Sequence, residues 1–177
     1  LDENFDLDLK SVEQCVDKKT KIIFVCSPNN PTANLMKHSR ILQLCADYAD
    51  RALVVVDETY VEFAASESMI PSLDDCPNLV ILRTLSKSHA AAGLRCGVAV
   101  ARPNVTALMQ KVLAPYPLPQ PVIDAALTIL SPDTSAFLAK KRADIVARRD
   151  QLAAQLAASP DIVQVLPTDA NYLLLKV

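Results

Sequence analysis

Three near-continuous apolar runs, at 21–26, 52–56 and 79–82, constrain this chain more than any other feature, because each stops in a polar cluster. A half-buried strand alternates apolar with polar residues. Runs such as Ile22-Ile23-Phe24-Val25-Cys26 and Leu53-Val54-Val55-Val56 leave no polar face at all. Strands of that kind belong to parallel sheets covered on both sides, and the helix-length stretches between them supply the covers. The expected fold class is α/β, with a mainly parallel sheet in three layers.

Helices are expected at 35–48, from Pro103 onward, at 122–130 and, as one long element, at 134–158. Val105, Leu108, Met109, Val112 and Leu113 keep a helical apolar spacing. Pro115-Tyr116-Pro117-Leu118-Pro119-Gln120-Pro121 must then end that helix, since proline lacks the donor. In the long helix, Leu138, Ile145, Leu152 and Leu156 form the buried stripe, while Lys140, Lys141, Arg148 and Arg149 read as a solvated face. Residues 97–100 form a further short strand. Segments 161–166 and 171–177 read as two strands joined by Pro167-Thr168-Asp169, the start of a small α+β domain. The division is a large domain over 1–132 and the beginning of a smaller one over 133–177.

Bulk properties exclude several function classes. A net charge of −2 gives no basic field for nucleic acid or an anionic membrane surface. No apolar run reaches the roughly 18 residues that span a bilayer. Cysteines 15, 26, 45, 76 and 96 are isolated, which fits neither a disulfide framework nor zinc-ligand spacing. They read as thiols of a reducing compartment, so a cytoplasmic location and no metal are expected. No glycine-rich nucleotide fingerprint follows any strand.

The polar clusters carry the chemistry. They are Asn29-Asn30-Pro31-Thr32, Asp57-Glu58-Thr59-Tyr60, and Thr84-Leu85-Ser86-Lys87 with Gly93-Leu94-Arg95. Ligands of open α/β sheets bind beyond the carboxyl ends of the strands, where all three clusters lie. Asp57 ends the most apolar strand, and an unpaired carboxylate there calls for water or a cation. At about 3 Å and an effective dielectric near 20, a cationic partner is worth at most roughly 5 kcal/mol. That suffices to keep a pyridine nitrogen protonated several units above its free value. Lys87 becomes nucleophilic once desolvated or set beside another cation such as Arg95. Thr84, Ser86 and Arg95 offer two hydroxyls and a two-pronged charged donor for a phosphate. Taken singly, each of these residues reads better as a cap, a turn residue or a solvated charge. Taken together they fit one ligand, pyridoxal 5′-phosphate.

The motifs Ser27-Pro28-Asn29-Asn30-Pro31-Thr32, Asp57-Glu58-Thr59-Tyr60, Arg83-Thr84-Leu85-Ser86-Lys87, Ala92-Gly93-Leu94-Arg95-Cys96-Gly97 and Ala114-Pro115-Tyr116-Pro117-Leu118 recur in order and at matching spacing. In these the chain resembles the central part of a fold-type I pyridoxal-phosphate aminotransferase, class II, and most of all the histidinol-phosphate branch. That resemblance implies that Lys87 forms the imine with the cofactor and shuttles the proton. It implies that Asp57 pairs with the ring nitrogen, Asn30 and Tyr60 bond the ring oxygen, and Thr84, Ser86 and Arg95 bind the phosphate. The implied reaction exchanges the amino group between L-histidinol phosphate and 2-oxoglutarate, a step of histidine biosynthesis, in a homodimer. Other fold-type I enzymes, a different aminotransferase or an amino-acid-phosphate decarboxylase, would keep the same anchors. A non-catalytic domain on this scaffold is the remaining alternative. Members of the family are about twice this length, so the span is expected to be a fragment, inactive alone.

Two positions depart from the family pattern. Ala33 stands where glycine usually follows Asn-Pro-Thr, and is strained if that position needs a positive φ. His89, in Ser88-His89-Ala90, either stacks near the cofactor or replaces an aromatic in packing, and packing is the preferred reading.

Overall fold

The apolar runs form neighbouring strands. The computed structural model describes residues 1–66 and 68–177. Strands β1 (Ile22–Cys26), β2 (Leu53–Asp57) and β3 (Leu79–Thr84) are parallel, and β4 (Gly97–Ala101) joins β3 antiparallel, in the order β1-β2-β3-β4. The register sets Cys26 beside Asp57 and Asp57 beside Leu82. All three polar clusters therefore leave the sheet at one rim.

Alternation along the strands gives the sheet two distinct faces. Val54, Val56, Leu79 and Ile81 point to one of them and are fully buried with Ile41 and Leu44 of α2 (His38–Asp47). Val12 of α1 (Leu9–Cys15), a helix not anticipated from the sequence, packs on the same cluster. Burial of each such aliphatic side chain is worth about 1.5–3 kcal/mol. On the other face Val55 and Val80 meet Val105 and Met109 of α3 (Pro103–Val112).

That second face departs from the expected full cover. Ile22 is 51% exposed and Phe24 70% exposed, because Val105 and Met109 of α3 pack on β2 and β3 rather than on β1. Helices α4 (Gln120–Ile129) and α5 (Pro132–Ala157) follow, each with a proline in its first turn, where the missing N–H costs nothing.

The face that α5 turns inward also differs from the expected stripe. Ile145 and Leu152 stay exposed, whereas Val146 packs against the cluster of Ala33, Tyr60, Phe63 and Ala170. Arg149 is no solvated surface residue: its side chain is only 10% exposed and Nη1 donates to the Ala170 carbonyl at 2.6 Å. The terminal hairpin is shorter than expected, with β5 (Gln164–Val165) antiparallel to β6 (Leu175–Lys176). Between them, Thr168 braces its own turn, its hydroxyl donating to the Tyr172 carbonyl at 2.7 Å, while Asp169 turns its polar groups elsewhere. Asp169 N–H donates to the Ala33 carbonyl at 2.6 Å, and its carboxylate accepts from Leu35 N–H at 2.9 Å.

Candidate active site

Asp57 is the last residue of β2 and lies half-buried at the rim. One carboxylate oxygen accepts from the backbone N–H of Thr59 at 2.9 Å and from its hydroxyl at 2.5 Å. This local turn fixes the carboxylate at the strand end, with no cationic partner among the described residues. Across the ladder, burial first and the Asp57 charge second push the Cys26 thiol upward, keeping it neutral beside the acid.

Three residues on, Tyr60 is buried, and its phenol oxygen accepts from Asn30 Nδ2 at 3.3 Å. Asn30 arrives from the loop after β1, which turns through cis Ser27–Pro28 and cis Asn30–Pro31. The exposed Lys87 stands over the Tyr60 ring, its Nζ 5.7 Å from the centroid. The amine, the phenol and the amide thus form one group.

Thr84 ends β3, with its hydroxyl donating to Ser86 Oγ at 2.9 Å and accepting from Ser86 N–H at 3.1 Å. Leu85 N–H to the Cys96 carbonyl, at 3.1 Å, ties this turn to the start of β4. Gly97 faces Thr84, and a β-carbon there would lie 2.9 Å from the Arg83 carbonyl. Only glycine permits so close an approach. Arg95 is brought beside the hydroxyls by the backbone, in a left-handed conformation with φ 52°. Its exposed guanidinium bonds the Ala92 carbonyl at 2.8 Å, so it must turn to share a ligand with Thr84 and Ser86.

Every candidate site residue thus reaches one rim, but sequence reasoning missed what supports them. Tyr172, read as part of a strand, meets Tyr60 edge-on at 5.4 Å and donates its hydroxyl to the Asn29 carbonyl at 2.8 Å. Burial, and then Tyr60, push its phenol up to about 12. Ala33 has φ 65° and is fully buried, so the position does require the left-handed region, and alanine bears the strain there. His89 is half-buried against Ser88 Oγ at 2.9 Å, and burial is the main cause of its lowered pKa. The aromatic Tyr172 carries no local signal of its partner, since its hydroxyl bonds a residue 143 positions away.

The model of aminotransferase class I and II matches residues 1–177. The chain belongs to the class I and II aminotransferases. Among members of this family, histidinol-phosphate aminotransferase 2 of Mannheimia succiniciproducens is 46% identical over 176 residues, 99% of this chain and 50% of that protein. The chain spans about half the length of the curated relatives it matches. Histidinol-phosphate aminotransferase of Clostridium acetobutylicum superposes with a TM-score of 0.86 at 19% identity, over 100% of this chain and 53% of that one. The Sinorhizobium meliloti enzyme, solved in complex with pyridoxal-5′-phosphate, gives 0.79 at 24% identity, over 93% and 44%. At these identities the structures establish the fold, that of fold-type I transferases.

Proposed function

We propose that the protein containing this chain transfers the amino group of L-histidinol phosphate to 2-oxoglutarate, using pyridoxal 5′-phosphate held by the rim residues. The observation that carries this reading is the meeting of Asp57, Tyr60 with Asn30, Lys87, and Thr84 with Ser86 at one sheet edge. The 46% identity to a histidinol-phosphate aminotransferase favours this substrate over other amino donors.

The donor set fits the cofactor group by group. Asp57 supplies an anion for a protonated ring nitrogen. Asn30 and Tyr60 offer an amide and a phenol to the ring oxygen. Thr84, Ser86 and, once turned, Arg95 present two hydroxyls and a bidentate cation to the phosphate. When bound, the cofactor supplies an electron sink for the substrate Cα–H bond. Lys87 would be its attachment point, and its amine, once free, would be the base that takes a proton from the substrate Cα. Asp57 would hold the ring nitrogen in its protonated form. Tyr60 lies beneath the Lys87 amine, 5.7 Å from ring centroid to Nζ, and would limit how far that amine swings.

The whole protein is proposed to be a cytoplasmic homodimer. Support comes from five free thiols and from the exposed Leu108, Val112, Leu113 and Tyr116 around the end of α3. Borohydride reduction of the full-length protein followed by peptide mapping tests the site, with the cofactor label expected on Lys87. A label on another residue, or none in an active sample, overturns it. Release of carbon dioxide without glutamate formation would replace the transaminase reading with a decarboxylase.

A further inference from the structure

Behind the rim, on the face away from Asp57 and Thr84, lies an ion-pair cluster that the proposed chemistry leaves unused. Strand alternation puts Glu58 and Arg83, the immediate neighbours of Asp57 and Thr84, on this rear face. Glu58 is 2% exposed and accepts from Ser68 Oγ at 2.6 Å, Met69 N–H at 2.7 Å and Arg83 Nη1 at 3.3 Å. Arg83 also reaches Glu62 with Nη2, so one guanidinium joins two carboxylates.

The placement of this cluster matters because of where the ladder stops. Paired residues of β2 and β3 end at Asp57 and Leu82, with one further bond from Glu58 N–H to the Leu82 carbonyl at 3.0 Å. Strand β3 runs on to Thr84, paired there with β4. Over those last two residues, side chains replace the backbone as the link to β2. Arg83 spans the gap from one side to Glu58 and Glu62.

We infer that Arg83, with Glu58 and Glu62, is a positioning device that sets the distance between Asp57 and Thr84, and so between the ring end and the phosphate end of the bound cofactor. The inference rests on the cofactor reading above. A planar guanidinium forked between two carboxylates suits this task, because its donors are fixed relative to one another. Releasing it lets Thr84 and Ser86 drift from Asp57 while each keeps its local turn. The consequence falls on the phosphate contacts alone.

The test uses the full-length protein freed of cofactor and titrated separately with pyridoxal 5′-phosphate and with pyridoxal. The wild type is expected to prefer the phosphorylated form strongly. In the double variant Glu58→Gln/Arg83→Met, which removes the buried inner pair together and leaves the partly exposed Glu62 as the one acid without its guanidinium, that preference should fall about tenfold, equivalent to ~1.4 kcal/mol. The affinity for pyridoxal should change less than about twofold. Glu62→Gln, which keeps the inner pair, should lower the preference by roughly two- to threefold, and it decides the matter if the double variant does not fold. An unchanged preference, or an equal loss for both ligands, overturns the positioning role. A wild type that takes up neither ligand sinks the cofactor reading instead.

Discussion

The front and the rear of the same two strand ends are built on opposite rules. In front, Asp57 and Thr84 are half-buried, bonded to their own turns and, for Thr84, to the Cys96 carbonyl at 3.4 Å, and followed by the exposed Lys87. At the rear, Glu58 is sealed from solvent and holds three donors, while Arg83 is shared between two acids. One residue of sequence separates the two regimes. The contrast teaches that a strand end can divide its work: side chains that must meet a ligand keep their bonds local, and those that must hold the backbone are tied to partners on other segments.

If that division is right, front and rear substitutions should separate activity from stability. The largest effect is expected for Lys87→Ala in the full-length protein. Transamination should fall roughly a thousandfold or more, with the denaturation midpoint unchanged. A matching loss of stability would break the contrast. Glu58→Ala should do the reverse in kind, costing about 3 kcal/mol in denaturant unfolding because it leaves the buried Met69 N–H and one prong of the shared guanidinium without an acceptor.

Smaller effects sharpen the boundary where the terminal segment meets the front. Tyr172→Phe removes the bond to Asn29 and should cost about 1 kcal/mol. It should also change the alkaline limb. Raised in the fold, the Tyr172 phenol adds stability that is complete below its ordinary value of 10.0 and lost as pH climbs toward about 12. Unfolding followed across that window should be flatter in the variant by one ionisation. Ala33→Gly should shift stability by less than about 1 kcal/mol. Relief of the left-handed strain, ~1–2 kcal/mol, is offset by loss of a buried methyl at ~0.8 kcal/mol and by a more flexible unfolded chain. A large gain in its thermal midpoint would show that the strain outweighs the packing.

Much of the front was legible because it depends on local order. Asp57, Thr84 and the hydroxyl–amine spacing around Lys87 follow apolar runs whose ends are visible in the text of the chain. Asn30 and Tyr60 were legible only as members of clusters, since their bond joins residues 30 positions apart. Arg149 was misjudged for a clear reason. Its neighbours Lys140, Lys141 and Arg148 are charged and exposed, and nothing local reveals that Ala170 presents a carbonyl to it. The hairpin was overextended because Tyr172-Leu173-Leu174 has strand composition, while Asp169 and Tyr172 spend their polar groups on the loop after β1.

By itself, the sequence determined the kind of strands, the rim where they end and the inventory standing there, because period-two alternation and apolar run length are local properties. Only the tertiary structure decided which neighbour of each rim residue would be sealed away, how Arg83 bridges the gap past the ladder, and which face of α5 turns inward. Those outcomes depend on groups distant in the chain coming into contact, and the energy of such contacts is absent from any single stretch of residues.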